Sequence, residues 1–440
     1  MIKRVPLFSF FSELILIFLI IFGPFNYGSY TSFSQTILQL TSFFIFFILL
    51  IRLAVISKPK VIYPPAIAFM ICFFAVILFQ LIPFSQETIR ALSPQTLQLY
   101  KQYLPSIEET SRHTLSIYPF ATKNELVRFF AVFVLFLVTI NVMDNKRKFE
   151  RVLAIIVLWA AGIAFYGIMK KFFISGGWVH SDLSFSTFSH KNLYAGYMVM
   201  IAPLSVGYAL ACRDMYKRVF FGFLAAVISV SIFITLSRGG SLSLIFALLL
   251  LVFLSIRKFS IKDNLWIIAI IVIIIVILSA IIGMDALMNR ISDLFGQTGF
   301  DSRIKIIKDS LPLLKDFFLF GIGLGGAPYI ITRYQTLGYY MHLHNDHFQL
   351  LVETGFVGSI FCLLFFIMVF KNILMQLRKT QDPFVRNVVA GGVSGLVAIS
   401  LHAIVDAVLH TPASLFMFWL ILGLTYRCVY SKFVYERDRT

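Results

Sequence analysis

Three histidines and one aspartate occupy the six-residue segment 342–347, which reads His-Leu-His-Asn-Asp-His. An apolar stretch begins directly after it, at Phe348. A neutral imidazole can accept a proton from a hydroxyl group near pH 7, which is the task of a general base. His344 and His347 would share a face if a helix begins before them. We therefore expect a general base in this segment, with His344 as the candidate. Capping of the following helix is the structural alternative for each histidine.

The same segment matches the metal-binding string His-x-His-x-Asp-His of the metallo-β-lactamase-like hydrolases. Those hydrolases need a soluble α/β sandwich and further ligands on separate strands, whereas this segment runs straight into an apolar stretch. Downstream, little besides His410 could help to complete a zinc site. The sequence therefore predicts no metal site, with a zinc centre as the alternative.

Two arginines are expected on the same side of the membrane as the segment 342–347, and both could bind an anion. Arg238 stands within Ser-Arg-Gly-Gly, which interrupts an otherwise apolar run from 219 to 256. Its guanidinium group stays charged, and its planar fork suits the oxygens of a pyrophosphate. The alternative is an arginine that anchors the chain to lipid headgroups. Arg303 supplies a second cation, for which the alternative is an ordinary exposed loop arginine.

A second polar group lies near the C-terminus. Asp406 and His410 are four residues apart at the end of a predicted membrane span, just before Pro412. Ionisable groups within a bilayer are costly and need partners or a wet cavity. We expect these two residues either to pair with each other or to line a cavity beneath the neighbouring loops. A structural pairing and a substrate contact both stay open.

The composition places all these residues in a membrane protein. Of 440 residues, 59% are hydrophobic and 13% are charged, and the mean hydropathy is +0.87. These values exclude a water-soluble globule. Apolar runs of about 20 residues, the length of a membrane-spanning helix, recur along the chain. The sequence therefore predicts an all-α polytopic membrane protein with about 12 transmembrane helices. They are expected at residues 7–24, 36–57, 62–82, 122–142, 152–173, 191–212, 219–237, 239–256, 265–283, 348–370, 387–409 and 412–430.

Basic residues predict the orientation of these spans. Alternate loops are rich in Lys and Arg, and both termini lie on their side of the membrane. Positive residues favour the cytoplasm, so we expect both termini to be cytoplasmic. The net charge of +17 is then explained by topology and by contact with anionic lipid, and we expect no nucleic-acid binding. The basic segments lie at 3–4, 58–60, 146–151, 213–218, 257–262, 371–386 and after 427.

Two larger loops, residues 83–121 and 284–347, fall on the opposite, extracytoplasmic side. Neither is long or hydrophobic enough to form a separate soluble domain with a good core. We therefore expect a single integral membrane domain, residues 1–440, in which both loops carry short helices and fold over the outer mouth of the bundle.

The second loop contains an amphipathic helical pattern followed by a glycine run. Pro312 is expected to kink or divide the helix. Gly321–Gly326 resembles a nucleotide-binding fingerprint, but no strand surrounds it, so a tight turn that lets backbones pack closely is favoured. The predicted apolar stripe of the helix comprises Ile304, Ile307, Leu311, Leu314 and Phe318, with Arg303 mostly off it.

Four local patterns and a terminal motif together resemble the O-antigen ligase/Wzy-type polymerase superfamily of bacterial envelope glycan enzymes. They occur in the expected order between about residues 180 and 420, at or within predicted spans. Their joint order carries the resemblance. The patterns are STFSHKNLYAGY at 186–197, SRG at 237–239, Arg303 followed by GIGLG at 321–325, HNDHFQLLVETG at 344–355, and DAVLHTPA at 406–413.

The resemblance implies a metal-independent glycosyltransferase that needs no cofactor and works at the outer leaflet. Its donor would be a glycan on undecaprenyl pyrophosphate, a polyprenyl carrier whose chain stays in lipid. By analogy, Arg238 and Arg303 would neutralise the departing pyrophosphate, and His344 would activate the acceptor hydroxyl. Direct attack would invert the anomeric carbon. The other expected substrate contacts are Asn345, Lys191, Asn192, Asp406 and His410.

Two departures from the family pattern bear on these roles. Many relatives carry an aromatic residue where this chain has His347, which leaves the base open between His344 and its neighbours. Lys191 makes its motif more basic than a plain Asn-rich pattern, so it is a candidate phosphate contact.

The sequence leaves the acceptor open. It could be another lipid-linked repeat, lipid A-core or a protein hydroxyl, which distinguishes a polymerase, a ligase and an oligosaccharyltransferase. Polymerisation is slightly favoured because no extra soluble domain for binding a protein is evident. We expect a protein of the bacterial cytoplasmic (inner) membrane with its active site on the periplasmic face. A chain-length regulator is a possible partner.

A transporter or flippase for the same lipid-linked substrates is the alternative from another class. A bundle of about 12 spans around a basic cavity fits it as well. Transporters usually show repeat symmetry and expose their binding residues to each side in turn. The candidate residues instead cluster on one predicted face, which favours the transferase.

Overall fold

The computed structural model describes residues 4–55, 61–104, 111–174, 184–256, 298–336 and 340–431. It is all-helical, with 79% helix and no strand in these ranges. The helices are α1 Arg4–Phe22, α2 Phe25–Ser29, α3 Ser32–Val55, α4 Ile67–Gln80, α5 Gln86–Leu92, α6 Pro94–Tyr103, α7 Pro119–Val142, α8 Lys146–Met169, α9 Lys191–Ala211, α10 Met215–Ile234, α11 Arg238–Ile256, α12 Thr298–Asp316, α13 Ala327–Ile330, α14 Asp346–Lys379, α15 Pro383–His402 and α16 Pro412–Val429.

Within the described ranges, nine helices are long and apolar enough to cross a membrane, and the protein is an integral membrane protein. Two shorter apolar helices, Phe10–Phe22 and Ile67–Gln80, lie at predicted spans. The span expected at 265–283 lies outside the described residues. Each of the other eleven predicted spans overlaps a helix. The total number of spans therefore stays a prediction.

Helix α9 lies in the middle of the bundle and is buried on almost every side. It packs closely against α15, where glycines let the two backbones approach. A Cβ atom on Gly391 would lie 2.6 Å from the carbonyl oxygen of Pro203, too close for any larger side chain. Small residues at such contacts are typical of helix packing in membranes. This packing brings the N-terminus of α9 next to the C-terminal end of α15.

The glycine run after α12 forms the tight turn that the sequence predicts. Gly321, Gly323 and Gly325 all have positive φ angles, of 70°, 96° and 76°. The turn pairs with α14, which is interrupted at Gly355 (φ 67°, ψ −178°). The backbone N–H groups of residues 322 and 323 donate hydrogen bonds to the carbonyl oxygens of 352 and 353. The N–H groups of residues 356 and 357 donate to the carbonyl oxygens of 318 and 319, and all four distances are 2.8–3.2 Å. The turn therefore holds the first two turns of α14 in place.

Helix α12 continues through Pro312 to Asp316, so the proline does not divide it. The apolar stripe expected from the sequence is not the buried face of the helix, because Leu311 and Phe318 are 43% and 47% exposed. Apolar residues occur side by side along this helix, so periodicity could not decide which of two stripes packs inward. The buried stripe is Ile306, Ser310, Leu313 and Phe317.

Arg303 continues that buried stripe, since it lies three residues before Ile306. Helical spacing of three and four residues places both on one face. Arg303, which lies off the apolar stripe expected from the sequence, is therefore on the face of α12 that packs inward. Its guanidinium group points toward the helix ends at which α9, α14 and α15 meet.

Helix α15 ends at His402, so the span predicted for 387–409 is too long at its C-terminal end. Residues 403–411 form a non-helical connector to α16. Asp406 and His410 lie in this connector, where helical spacing no longer relates them.

Candidate functional site

The Asp406 carboxylate joins four parts of the chain that are distant in sequence. Its Oδ2 atom accepts hydrogen bonds from Asn192 Nδ2 at 2.5 Å and from Arg303 Nη2 at 3.2 Å. Its Oδ1 atom lies 3.2 Å from His344 Nδ1. Asn192 comes from the first turn of α9, Arg303 from α12, and His344 from the segment before α14. We call Asn192, Arg303, His344 and Asp406 the Asp406 centre.

Asp406 is held in its ionised form. Burial of the side chain, which is 8% exposed, opposes ionisation. The hydrogen bond from His344 and the nearby charge of Arg303 outweigh burial and lower the pKa of Asp406 well below its ordinary value. The carboxylate is therefore a permanent acceptor of hydrogen bonds.

His344 lies in a position that leaves one ring nitrogen available. It precedes α14 by two residues, has φ 50° and is 38% exposed. Because an ionised carboxylate only accepts hydrogen bonds, Nδ1 of His344 must carry the proton that faces Asp406. A neutral His344 then has a lone pair on Nε2, and no described residue bonds to that atom. This is the arrangement of an oriented general base.

A second histidine–aspartate contact lies on the other side of the same helix start. The Asp346 carboxylate accepts hydrogen bonds from the backbone N–H of Leu409 at 2.7 Å and from His410 Nδ1. The backbone N–H of Asp346 donates to Ala403 O at 2.8 Å. Asp406 and His410 therefore do not pair with each other, which excludes one of the two alternatives expected for them. The connector's helical spacing was assumed, and without it each residue faces a different partner.

The neighbouring polar residues of the 342–347 segment have separate partners. Asn345 caps α14, because its Oδ1 atom accepts from Phe348 N at 2.9 Å. The His342 ring lies 4.8 Å from the ring of His410, and burial lowers the pKa of His342 to about 3. His347 Nε2 donates to Ser400 O at 2.9 Å. Because α14 begins only at Asp346, the expected shared face of His344 and His347 is not formed.

These contacts also bear on the zinc alternative. The side chains of the metal-binding string do not converge on one point, since His344 contacts Asp406, Asp346 contacts His410, and His347 contacts a backbone carbonyl. Among the described residues, no group of three His, Cys, Asp or Glu side chains is arranged to hold a metal ion.

Three helix N-termini meet the segment 402–406. Helix α9 reaches it through Asn192, and α14 reaches it through the bond from Asp346 N–H to Ala403 O. The first turn of α11 packs on it as well, since a Cβ on Gly239 would lie 2.7 Å from the His402 ring and 2.9 Å from Val405. Helix N-termini carry partial positive charge and bind anions. Their convergence makes this region favourable for a negatively charged ligand.

Arg238 and Lys191 begin two of these helices. Arg238 is the first residue of α11 and is partly exposed, and no hydrogen bond or ion pair joins it to a described residue. Lys191 is the first residue of α9, directly after its N-cap. The structure therefore places both cations beside the region of converging helix ends.

His190 is a residue of this region that the sequence-based analysis missed. It caps α9, because its Nδ1 atom accepts from the backbone N–H of Asn192 at 3.2 Å. Burial lowers its pKa, and the charges of Lys191, His344 and Arg303 lower it further against the effect of Asp406. The available signal was a histidine directly before a predicted helix and two residues before Asn192.

A largely apolar cavity of about 520 Å³ lies beside the second histidine–aspartate contact. It is bounded by α4, α7, α14 and α16 and has polar groups at one end. There Arg128 pairs with Glu125 at 2.5 Å and donates to His410 O at 3.4 Å. Asp346 also lines this end. The apolar part is lined by Leu350, Leu363, Phe366, Phe370, Phe418 and Trp419.

Fold and site together define a polytopic helical membrane protein with an anion-attracting centre built around an oriented histidine. Residues 223–366 match the family model described as O-antigen ligase. The match confirms the resemblance to the O-antigen ligase/polymerase superfamily and indicates membrane glycan ligase or polymerase activity. The matched segment contains Arg238, Arg303 and His344, whereas Asn192 and Asp406 lie outside it. No curated protein matches the chain significantly.

Proposed function

We propose that the protein transfers a glycan from a polyprenyl (undecaprenyl) pyrophosphate carrier to an acceptor hydroxyl at the Asp406 centre. The observation that carries this proposal is the contact between His344 Nδ1 and Asp406, beside the guanidinium group of Arg303. It combines a base of defined tautomer with a fixed cation, and the family match supports glycan transfer as the chemistry.

His344 acts as the general base in this proposal. Its Nε2 atom takes the proton of the acceptor hydroxyl while the oxygen attacks the anomeric carbon of the donor sugar. The bond from that carbon to the pyrophosphate oxygen breaks, and its electron pair leaves with the pyrophosphate. Asp406 holds the imidazole in orientation and stabilises the imidazolium that forms. Direct displacement inverts the anomeric carbon, and no metal ion or cofactor takes part.

Fixed positive charge stabilises the leaving pyrophosphate. Arg303 is 33% exposed and uses Nη2 for Asp406, so its other N–H groups can face a ligand. Arg238 and Lys191 stand at the starts of α11 and α9, where the helix ends add partial positive charge. Such groups act most strongly on charge that develops in the transition state, in a site shielded from water. Asn345 caps α14, and His410 holds Asp346. Both residues therefore position the site and do not contact the pyrophosphate.

The apolar cavity suits the part of the donor next to its pyrophosphate. In a polyprenyl pyrophosphate sugar, the reacting carbon and the lipid chain are attached to the same pyrophosphate group. The first isoprene units must therefore lie close to the reacting centre. The cavity of about 520 Å³ ends at Asp346, the first residue of α14, which follows His344 by two residues. We place the start of the prenyl chain there, with the rest in the bilayer.

The remaining features of the proposal follow from the chain as a whole. The protein is a single domain of the bacterial inner membrane with cytoplasmic termini, and the Asp406 centre faces the periplasm beneath the loops 83–121 and 284–347. The acceptor is another lipid-linked repeat, which makes the enzyme a polymerase that works with a chain-length regulator. Lipid A-core and protein hydroxyls are the acceptors to be compared with it.

The experiment uses purified protein in lipid nanodiscs with a defined glycan on undecaprenyl pyrophosphate and each acceptor in turn. The expected result is acceptor-dependent release of undecaprenyl pyrophosphate that persists in chelator. Activity that is lost in chelator and restored by zinc would contradict the metal-free mechanism.

Deletion in the native bacterium separates the transferase from a flippase. Single lipid-linked repeats accumulating on the outer face indicate a lost polymerase, and completed chains stranded on lipid indicate a lost ligase. Repeats trapped on the cytoplasmic face would contradict the proposal and indicate a flippase. Labelling of a cysteine placed at position 344 from the cytoplasmic side alone would also contradict it.

A further inference from the structure

His190 and His344 are two imidazoles on either side of the Asp406 carboxylate. Asn192 connects His190 to that carboxylate, since its backbone N–H donates to His190 Nδ1 at 3.2 Å and its side chain donates to Asp406 at 2.5 Å. His344 contacts the same carboxylate directly. The first turn of α9 therefore fixes His190 beside the Asp406 centre.

The two imidazoles have opposite tautomers. His190 Nδ1 accepts a hydrogen bond, so the neutral ring must carry its proton on Nε2. His344 donates from Nδ1 and has its lone pair on Nε2. One ring is thus prepared to donate through Nε2 and the other to accept. No described residue bonds to His190 Nε2, which lies on the ring edge away from the helix cap.

The surroundings of His190 keep it neutral. Burial is the largest effect that lowers its pKa. The charged and titratable groups around it are Lys191 on its own helix, Arg303 of α12, His344 before α14, and Asp406 in the connector. The first three lower the pKa and only Asp406 raises it. The positive end of α9 acts in the same direction as the cations.

We propose that His190 is a further catalytic residue, whose Nε2–H group donates a hydrogen bond to the leaving pyrophosphate. This inference rests on the proposed function. His190 transfers no proton. The acceptor proton goes to His344, the anomeric carbon–oxygen bond breaks, and the pyrophosphate departs as an anion with the N–H of His190 directed at one of its oxygens. A neutral donor adds to the cations without the cost of packing another charge beside Arg303 and Lys191.

Two substitutions separate this role from helix capping. In His190→Asn, the side-chain oxygen replaces Nδ1 as the cap acceptor, but the distal donor is lost. In His190→Gln, the amide nitrogen reaches the position of Nε2, but a good cap is lost. We expect His190→Asn to lower kcat by about 10- to 100-fold with little change in melting temperature. His190→Gln should melt earlier and retain a higher kcat than His190→Asn.

The opposite pattern, with a normal kcat for His190→Asn and a loss only for His190→Gln, would reduce His190 to a helix cap. Binding of sugar-free undecaprenyl pyrophosphate, measured by calorimetry, gives a second readout that needs no turnover. We expect His190→Asn to bind it about 10-fold more weakly than the wild type, and equal affinity would overturn the inference. A wild-type protein that binds this pyrophosphate but transfers no glycan would refute the proposed function, but it would not refute the contact between His190 and the pyrophosphate.

Discussion

Two histidine–aspartate contacts join the same two segments of this protein in a crossed arrangement. His344, just before α14, contacts Asp406 of the connector, and His410 of the connector contacts Asp346 at the start of α14. Both carboxylates are buried, with 8% and 5% of the side chain exposed. The two contacts therefore consist of the same chemical groups, an imidazole and a buried carboxylate.

Their surroundings differ. Asp406 also binds Asn192 and Arg303 from two other helices. No described residue bonds to His344 Nε2, which lies near cations and helix N-termini. Asp346 uses its remaining bond on the backbone of Leu409, and His410 lies between the His342 ring and the apolar cavity. In the proposed function, the first contact performs the chemistry and the second holds the connector in register with α14.

The largest expected effect separates the two histidines. His344→Ala should lower transfer by about 10²–10⁴-fold, because it removes the general base while the protein stays folded. His410→Ala is the matched control. It should lower the melting temperature, but it should lower transfer less than His344→Ala does. The measurements are initial rates and melting temperatures in nanodiscs. Normal transfer by His344→Ala would exclude it as the base.

The two aspartates are separated next. Asp406→Asn places an amide donor against His344 Nδ1 and favours the tautomer with its proton on Nε2, so transfer should fall about 10²-fold or more. Asp346→Asn should lower the free energy of unfolding by about 1–3 kcal/mol, because buried N–H donors lose a charged acceptor. Its turnover should fall less than that of Asp406→Asn. A reversed order would assign catalysis to the second contact.

Arg238→Lys tests the role of the cations near the His344–Asp406 contact. A point charge replaces a planar fork, so kcat/KM should fall by about 10- to 100-fold. Arg333→Lys is the control, because Arg333 is exposed and bonds only to Gln102 among the described residues, at 3.1 Å. Wild-type kinetics in both variants would make Arg238 a headgroup anchor.

The smallest effect is a dependence of stability on pH. Burial lowers the pKa of His410, but the Asp346 carboxylate outweighs it, and the folded-state pKa is raised. The stabilisation is therefore complete below the unfolded-state pKa of about 6.5 and is lost as pH rises through the folded-state pKa. The melting-temperature gap between wild type and His410→Asn should be wider at about pH 6 than at about pH 8.5. Asp406 stays ionised across this range, because its pKa is lowered. A gap independent of pH would show that His410 is uncharged.

Sequence alone was sufficient for the membrane class and for most of the Asp406 centre. Apolar runs identify spans because each span must bury about 20 residues in lipid, whatever its neighbours are. Asn192, Arg303, His344 and Asp406 were all expected as site residues, since each stands in one of the patterns that carry the family resemblance. His190 was missed because its role depends on the cap that it makes and not on a motif.

Tertiary structure decided the pairings. His344 and Asp406 are 62 residues apart, and His410 and Asp346 are 64 apart, so helical spacing carries no information about either contact. The same limit explains why the sequence pattern of α12 could not show that Arg303 contacts Asp406. Local patterns determine which residues can be helical, apolar or charged. Only packing between distant helices determines which carboxylate meets which histidine, because that choice depends on how the whole bundle buries its polar groups.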